Sequence, residues 1–160
     1  MDQGRILAAE HDGAYVLKFV GDVRVSLCTT IDDYFDQMFD DPGFVSVLLD
    51  LSEAEGVDST TLGLMAKLAL RTRKLHGMTP VIYSSNPGIN RLLESMAFGK
   101  LFEIRNDLCE HPECTDEIPS VEADPVLARE KVIEAHRTLM GISEENSERF
   151  RDLMAVLEAS

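Results

Sequence analysis

Tryptophan is absent from this 160-residue chain, aromatic residues make up only 6% of it, and cysteine occurs three times, as Cys28, Cys109 and Cys114. An odd number of cysteines without framework spacing excludes a small disulfide-stapled scaffold and suits a reducing compartment, so a cytoplasmic location is expected. Long apolar runs are also missing. No segment approaches the ~20 residues that a membrane helix needs, and Met1 to Glu10 lacks the basic flank and apolar stretch of a signal peptide. Positive charge is scarce too: 15 Lys and Arg face 29 Asp and Glu, a formal net charge of −14. Such a surface repels phosphate backbones and anionic lipid. Nucleic acid and membranes are therefore not expected as partners; proteins with basic patches are. No glycine-rich phosphate cradle is present, so no nucleotide cofactor is expected.

What is there is ordinary for a folded protein, with 44% hydrophobic and 28% charged residues. The charge is unevenly spread. Residues 1–106 carry 15 acidic and 10 basic side chains, whereas residues 107–160 carry 14 and 5, for net charges of −5 and −9.

Periodicity gives the elements. Leu7 to Ala9 and Ala14 to Val20 read as strands around a His11-Asp12-Gly13 turn, with Gly21-Asp22 ending the second. Leu27, Ile31, Tyr34, Phe35 and Met38 recur at helical spacing, and Asp40-Asp41-Pro42-Gly43 stops that helix. Val45 to Leu51 is a branched apolar run, the signature of a strand buried on both faces. A helix from Thr60 to His76 stops at Gly77. A strand at Val81 to Tyr83 follows, then a helix capped by Asn86 with Pro87 at its first position, carrying Ile89, Leu92, Leu93 and Met96 on one stripe. Leu101 to Ile104 is the last short strand. This alternation predicts an α/β fold, a mixed, mainly parallel sheet covered by helices, over residues 1–106.

Residues 107–123, rich in Glu, Asp, Pro, Cys and His, read as an acidic linker. Residues 124–160 read as a C-terminal helical extension: Asp124-Pro125 opens a helix closed by Gly141, and Ser143 caps another with Phe150, Leu153, Met154 and Leu157 on one face. The pair could pack on the sheet domain, join two copies as a homodimer, or act as a regulatory arm.

The informative stretch is VSVLLDLSEAEGVDSTTLGLMAKLALRTRKLH, Val45 to His76. A buried strand leads through a loop, Ser52 to Asp58, to a helix N-terminus bearing three consecutive hydroxyls, Ser59, Thr60 and Thr61. Each could simply cap the helix by accepting a backbone N–H. The same place also favours a phosphate, because free N–H groups and the helix dipole point at it. Phosphorylation there would add roughly −1.5 to −2 charges beside Asp58 and repel a docked partner.

LLDLSEAEGVDSTTLGLMAKL resembles the hallmark of the STAS domain, the fold of bacterial anti-sigma factor antagonists: an apolar strand, Asp-Leu-Ser, a short loop, then Asp-Ser-Ser-Gly-Leu-Gly opening a helix. Gly21-Asp22 and NPGINRLLESMAFGKLFEI, Asn86 to Ile104, also fit the layout, so the resemblance spans roughly residues 5–105. It implies that Ser59 is phosphorylated by a kinase-type anti-sigma factor and dephosphorylated by a PP2C-like phosphatase. The unphosphorylated form would bind the anti-sigma factor through Asp58, Ser59, Thr60, Thr61, Leu62 and Gly63. The chain would not be an enzyme. Thr61 stands where the family pattern has Gly, and its hydroxyl could compete as acceptor. The length is similar to the HsbA-like partner-switching regulators. The rival readings are a non-switching signalling scaffold, with Ser59 as a cap, and a small-ligand sensor using the loop before Asp58.

Other clusters carry less. Lys67, Arg71 and Lys74 form a basic line on the second helix, either a solvated face, a docking stripe or a resting place for the acidic tail. Cys109, His111 and Cys114 supply only three local ligands where a structural zinc site needs four, so no metal is expected. No histidine lies in the Asp50–Ser59 segment to act as a base. His11, His76, His111 and His136 fall in a turn, a helix end, the linker and the tail.

Overall fold

Strands β1 (Arg5–His11) and β2 (Ala14–Val23) form an antiparallel hairpin whose two-residue turn places Asp12 at φ 49° and Gly13 at φ 86°. Both central residues at positive φ match the right-handed twist of the flanking strands, which is why an Asp-Gly pair serves here. The coordinates are a computed structural model that describes residues 3–107, 111, 113–114, 116–122 and 124–159. After a short 3-10 turn, helix α1 (Cys28–Asp40) leads to strand β3 (Ser46–Val57). Helix α2 (Ser59–His76), strand β4 (Val81–Tyr83), helix α3 (Pro87–Ser95) and strand β5 (Glu103–Arg105) complete the alternation. A two-residue strand, β6 (Asp116–Glu117), precedes helices α4 (Pro125–Met140) and α5 (Glu144–Ala159).

The sheet order is β5-β4-β3-β2-β1-β6, with β2 to β5 parallel and β1 antiparallel to both its neighbours. The expected mixed, mainly parallel α/β architecture with a C-terminal helical extension is thus observed. Apolar stripes fall where periodicity put them: Ile31, Phe35 and Met38 on α1, and Ile89 and Leu93 on α3, are buried. Gly77 ends α2 in the left-handed region at φ 65°, donating its N–H to Arg73.

Four stretches differ from the sequence reading. Gly21-Asp22 does not end β2. The strand continues to Val23 beside β3, with register irregularities at Lys18/Val20 and Gly21/Asp22 that Gly21, at φ 76°, accommodates. In consequence Ser52 to Val57 is not a loop: β3 stays paired with β2 as far as Val57 and delivers the chain directly to Asp58. Strand β5 begins at Glu103, because Phe98–Lys100 form a helical turn and Leu101 and Phe102 are buried as core. The stretch read as a linker contributes β6, which pairs with Leu7 and Ala8 of β1.

The core is one cluster running from Phe19, Leu49 and Leu51 through Leu62 and Met65 to Leu139 of α4 and Phe150 of α5. Complete burial of such side chains stabilises by roughly 1.5–3 kcal/mol each. The C-terminal helices therefore share the hydrophobic interior with the sheet. On α5 the buried stripe is Asn146, Phe150 and Met154, while Leu153 faces outward with 41% of its surface exposed.

Candidate functional site

The candidate site is the N-terminus of α2, where β3 hands the chain over. Asp58 is the N-cap: its Oδ1 accepts the Thr61 N–H at 2.9 Å and the Thr61 hydroxyl at 2.8 Å, and its Oδ2 accepts the Val25 N–H at 2.7 Å. The carboxylate thereby ties α2 to the turn before α1. None of the three hydroxyls serves as the cap, contrary to the simplest reading of the sequence. The reason is geometric, since Asp58 is the last non-helical residue (φ −92°, ψ 174°) and Ser59 already belongs to the helix.

The three hydroxyls then meet different fates. Thr61 is fully buried, so its oxygen is sealed between Asp58 and the Val23 carbonyl and is not an accessible competitor for modification. Thr60 is 4% exposed. Ser59 alone is half-buried, and its Oγ lies 2.8 Å from Nε2 of His136 on α4. His136 Nδ1 sits 2.7 Å from the Val132 carbonyl, which can only accept, so Nδ1 carries the proton. In the neutral ring Nε2 is then the acceptor, and the Ser59 hydroxyl donates to it. The imidazole is 2% exposed and packs edge-on against Phe150, with ring centroids 5.2 Å apart.

Around this pair α4 lies directly on α2. A methyl group added at Gly63 would come within 2.6 Å of Ala135 Cβ, so the bare glycine is what lets the two helices approach. On one flank Lys67 Nζ reaches Asp32 of α1 at 3.2 Å and Glu134 of α4 at 2.8 Å, and Lys131 pairs with the other Asp32 oxygen. Burial pushes the Asp32 carboxyl up, but the two lysines outweigh it and hold it below its ordinary value. Both lysines are shifted upward, burial opposing and the carboxylates prevailing. Arg71 pairs with Asp36 at 2.6 Å and lies 4.5 Å over the Phe39 ring. The basic line is thus partly a seat for the tail, one of the three options its spacing left open.

A family model for the STAS domain matches residues 5–111. The chain belongs to the STAS domain family. Three solved structures share the fold. The anti-sigma factor antagonist SpoIIAA in its unphosphorylated form aligns with a TM-score of 0.53 and 10% identity, over 64% of this chain and 89% of that one. The Bacillus cell fate determinant SpoIIAA in its phosphorylated form gives 0.52 and 10%, over 64% and 92%. A candidate anti-sigma factor antagonist from Thermotoga maritima gives 0.56 and 17%, over 64% and 87%. No curated protein sequence matches the chain. Helices α4 and α5 lie beyond the residues that the STAS model matches.

In this STAS domain Asp58 caps α2, and Ser59, Thr60, Thr61, Leu62 and Gly63 form its first turn and a half, with Leu62 buried in the core and Gly63 under α4. Sequence reasoning missed His136. No histidine lies in the Asp50–Ser59 segment, but α4 brings one to Ser59 from 77 residues away. The available signal was Ala135, His136 and Leu139 on one flank of a helix that also carries Glu134, a carboxylate suited to Lys67.

The remaining candidates lie apart. Asp50 is buried and bonds Ser52 N–H and His111 Nε2, at 2.8 and 2.7 Å. Burial raises its carboxyl, yet the Ser52 bonds and His111 bring it below the usual range. Cys114 is buried with its thiol 3.8 Å from the Val16 carbonyl, and Cys109 lies outside the described residues. His76 packs on Phe44. No helix among the described residues is long and apolar enough to cross a membrane.

Proposed function

We propose that this STAS protein is a phosphorylation-gated antagonist of an anti-sigma factor, with Ser59 as the acceptor and Asp58 to Gly63 as the edge that docks the partner. The reading rests chiefly on one observation: Asp58 takes over the capping of α2, which leaves the Ser59 hydroxyl at the helix start with no backbone duty. A kinase-type anti-sigma factor supplies the phosphoryl group from a nucleoside triphosphate. The Oγ–P bond forms as the bond to the leaving nucleoside diphosphate breaks, and the hydroxyl proton passes to a base of the kinase. A PP2C-like phosphatase reverses the modification by hydrolysis. The fold tolerates the product because the N–H groups of the first turn and the helix dipole favour an anion there, by about 0.3–1 kcal/mol. The partner's contact does not tolerate it, since it meets roughly two added negative charges on a surface it must desolvate. The chain acts in the cytoplasm. A homodimer through the C-terminal helices would use their outer face, where Val126, Leu127, Leu153 and Val156 are exposed.

The test is a pull-down from native cytoplasm with Ser59→Ala as bait, followed by incubation of wild-type protein with the captured kinase and ATP. Intact mass should rise by one phosphate in wild type and not in Ser59→Ala, and Ser59→Glu should bind the captured partner at least tenfold more weakly than Ser59→Ala. Phosphate uptake by Ser59→Ala, or equal binding of the Glu and Ala variants, refutes the assignment.

A further inference from the structure

The C-terminal hairpin sits on the very turn that a kinase and a partner would have to reach. Its placement is built from independent contacts on three sides. Ala135 fills the space that Gly63 leaves open. Glu134 and Lys131 join Lys67 and Asp32 in a chain of alternating charge across α4, α2 and α1. At the far end Asn146, fully buried at the start of α5, donates its Nδ2 to the carbonyls of Met96, just past α3, and Leu139, both at 3.0 Å. In the middle His136 holds the Ser59 hydroxyl, and Phe150 closes over the imidazole.

This arrangement conflicts with acceptance of a phosphoryl group. In-line transfer requires the acceptor oxygen to approach the γ-phosphate on one side and a catalytic base on the other. Here the oxygen's proton is engaged by a histidine that is 2% exposed, and the turn beyond it is roofed by α4. Docking meets the same obstacle, because Gly63, at the end of the docking edge, is buried directly against Ala135 of α4.

We propose that α4 and α5 form an intramolecular lid that must lift from α2 before Ser59 can be modified or the partner bound. The inference rests on the assignment of Ser59 as the acceptor for its biological meaning, but the lid itself is a property of this chain alone. A closed majority state lowers the apparent affinity for partner and kinase by the fraction of molecules that are open. Whatever shifts that fraction sets the gain of the switch.

The test needs no kinase. In Ser59→Cys the thiol replaces the hydroxyl, and its alkylation by a bulky maleimide, followed at that position by peptide mass spectrometry, reports access. Any activation of the thiol by His136 speeds the closed form and so works against the expected result. Ala135→Leu should prise α4 from Gly63 and raise the labelling rate at least tenfold. Glu134→Lys, a change on the surface that sets like charges at Lys67, should raise it severalfold without threatening the core. Slow hydrogen exchange in β2 and β3 would establish that each variant keeps its sheet. Equal labelling rates in Ser59→Cys and both double variants, with the sheet intact, overturn the lid. Faster labelling together with a kinase that ignores Ser59 would uphold the lid and refute the acceptor assignment, so the two failures are distinguishable.

Discussion

Asp58 shows how much one carboxylate can organise. Its two oxygens hold the first turn of α2 and the backbone that precedes α1, and in doing so they free the next residue for another task. Removing the side chain should cost about 2 kcal/mol, the upper range for a lost cap, because the Val25 N–H also loses its acceptor. Urea denaturation of Asp58→Ala should show that loss, and Asp58→Asn, which keeps one carbonyl oxygen, about half of it. Stability equal to wild type in both variants would show that a hydroxyl caps after all. At this scale the sequence was legible in outline and ambiguous in detail. Asp-Ser-Thr-Thr offers several side chains able to cap a helix, and only the backbone angles at Asp58 decide among them. Thr61, where the family pattern has Gly, was open to two readings. Its complete burial makes it a structural residue of the turn.

Between elements, the decisive contact is the charged cluster that joins α1, α2 and α4. Asp32 is 3% exposed and faces two lysines. Its carboxyl titrates below its ordinary value, so it contributes stability that is present above about pH 4 and withdrawn as the pH falls through the folded-state value. The lysines are raised, so their contribution is present below about pH 10.5 and is lost above it. Asp32→Ala should therefore lower the unfolding free energy by about 3 kcal/mol at neutral pH, the cost of breaking a buried pair. The gap between variant and wild type should shrink at pH 3.5. Urea titrations at pH 6.5 and 3.5 measure both, and a pH-independent difference would contradict the account. None of this was readable from α1 alone. Its apolar stripe was plain from Ile31, Phe35 and Met38, but Asp32 sits beside that stripe and looks solvated until α4, nearly 100 residues later, covers it. The strand pairing of Ser52 to Val57 was hidden for a similar reason: polar residues such as Ser52, Glu53 and Glu55 mask a β-strand whose partner is the distant β2.

Over the whole molecule, the tail carries most of the excess negative charge and yet docks against a helix that presents lysine and arginine. Because Leu139 and Phe150 belong to the common core, the attachment is mainly hydrophobic and should survive moderate salt. The lid nevertheless has fewer routes of support than the central strands. Native-state hydrogen exchange should therefore find the amides of α4 and α5 opening as a unit, roughly ten times faster or more than those of β2 and β3. Uniform exchange across lid and sheet would mean that the two part only on global unfolding.

The margins of the sheet carry a last consequence. One edge is β5, with Glu103 and Arg105 on either side of Ile104; the other is β6, a mere two residues, both acidic. Short, ionised borders are poor templates for a foreign strand to add to. Growth of the sheet into fibres or strand-swapped aggregates is therefore disfavoured at both ends.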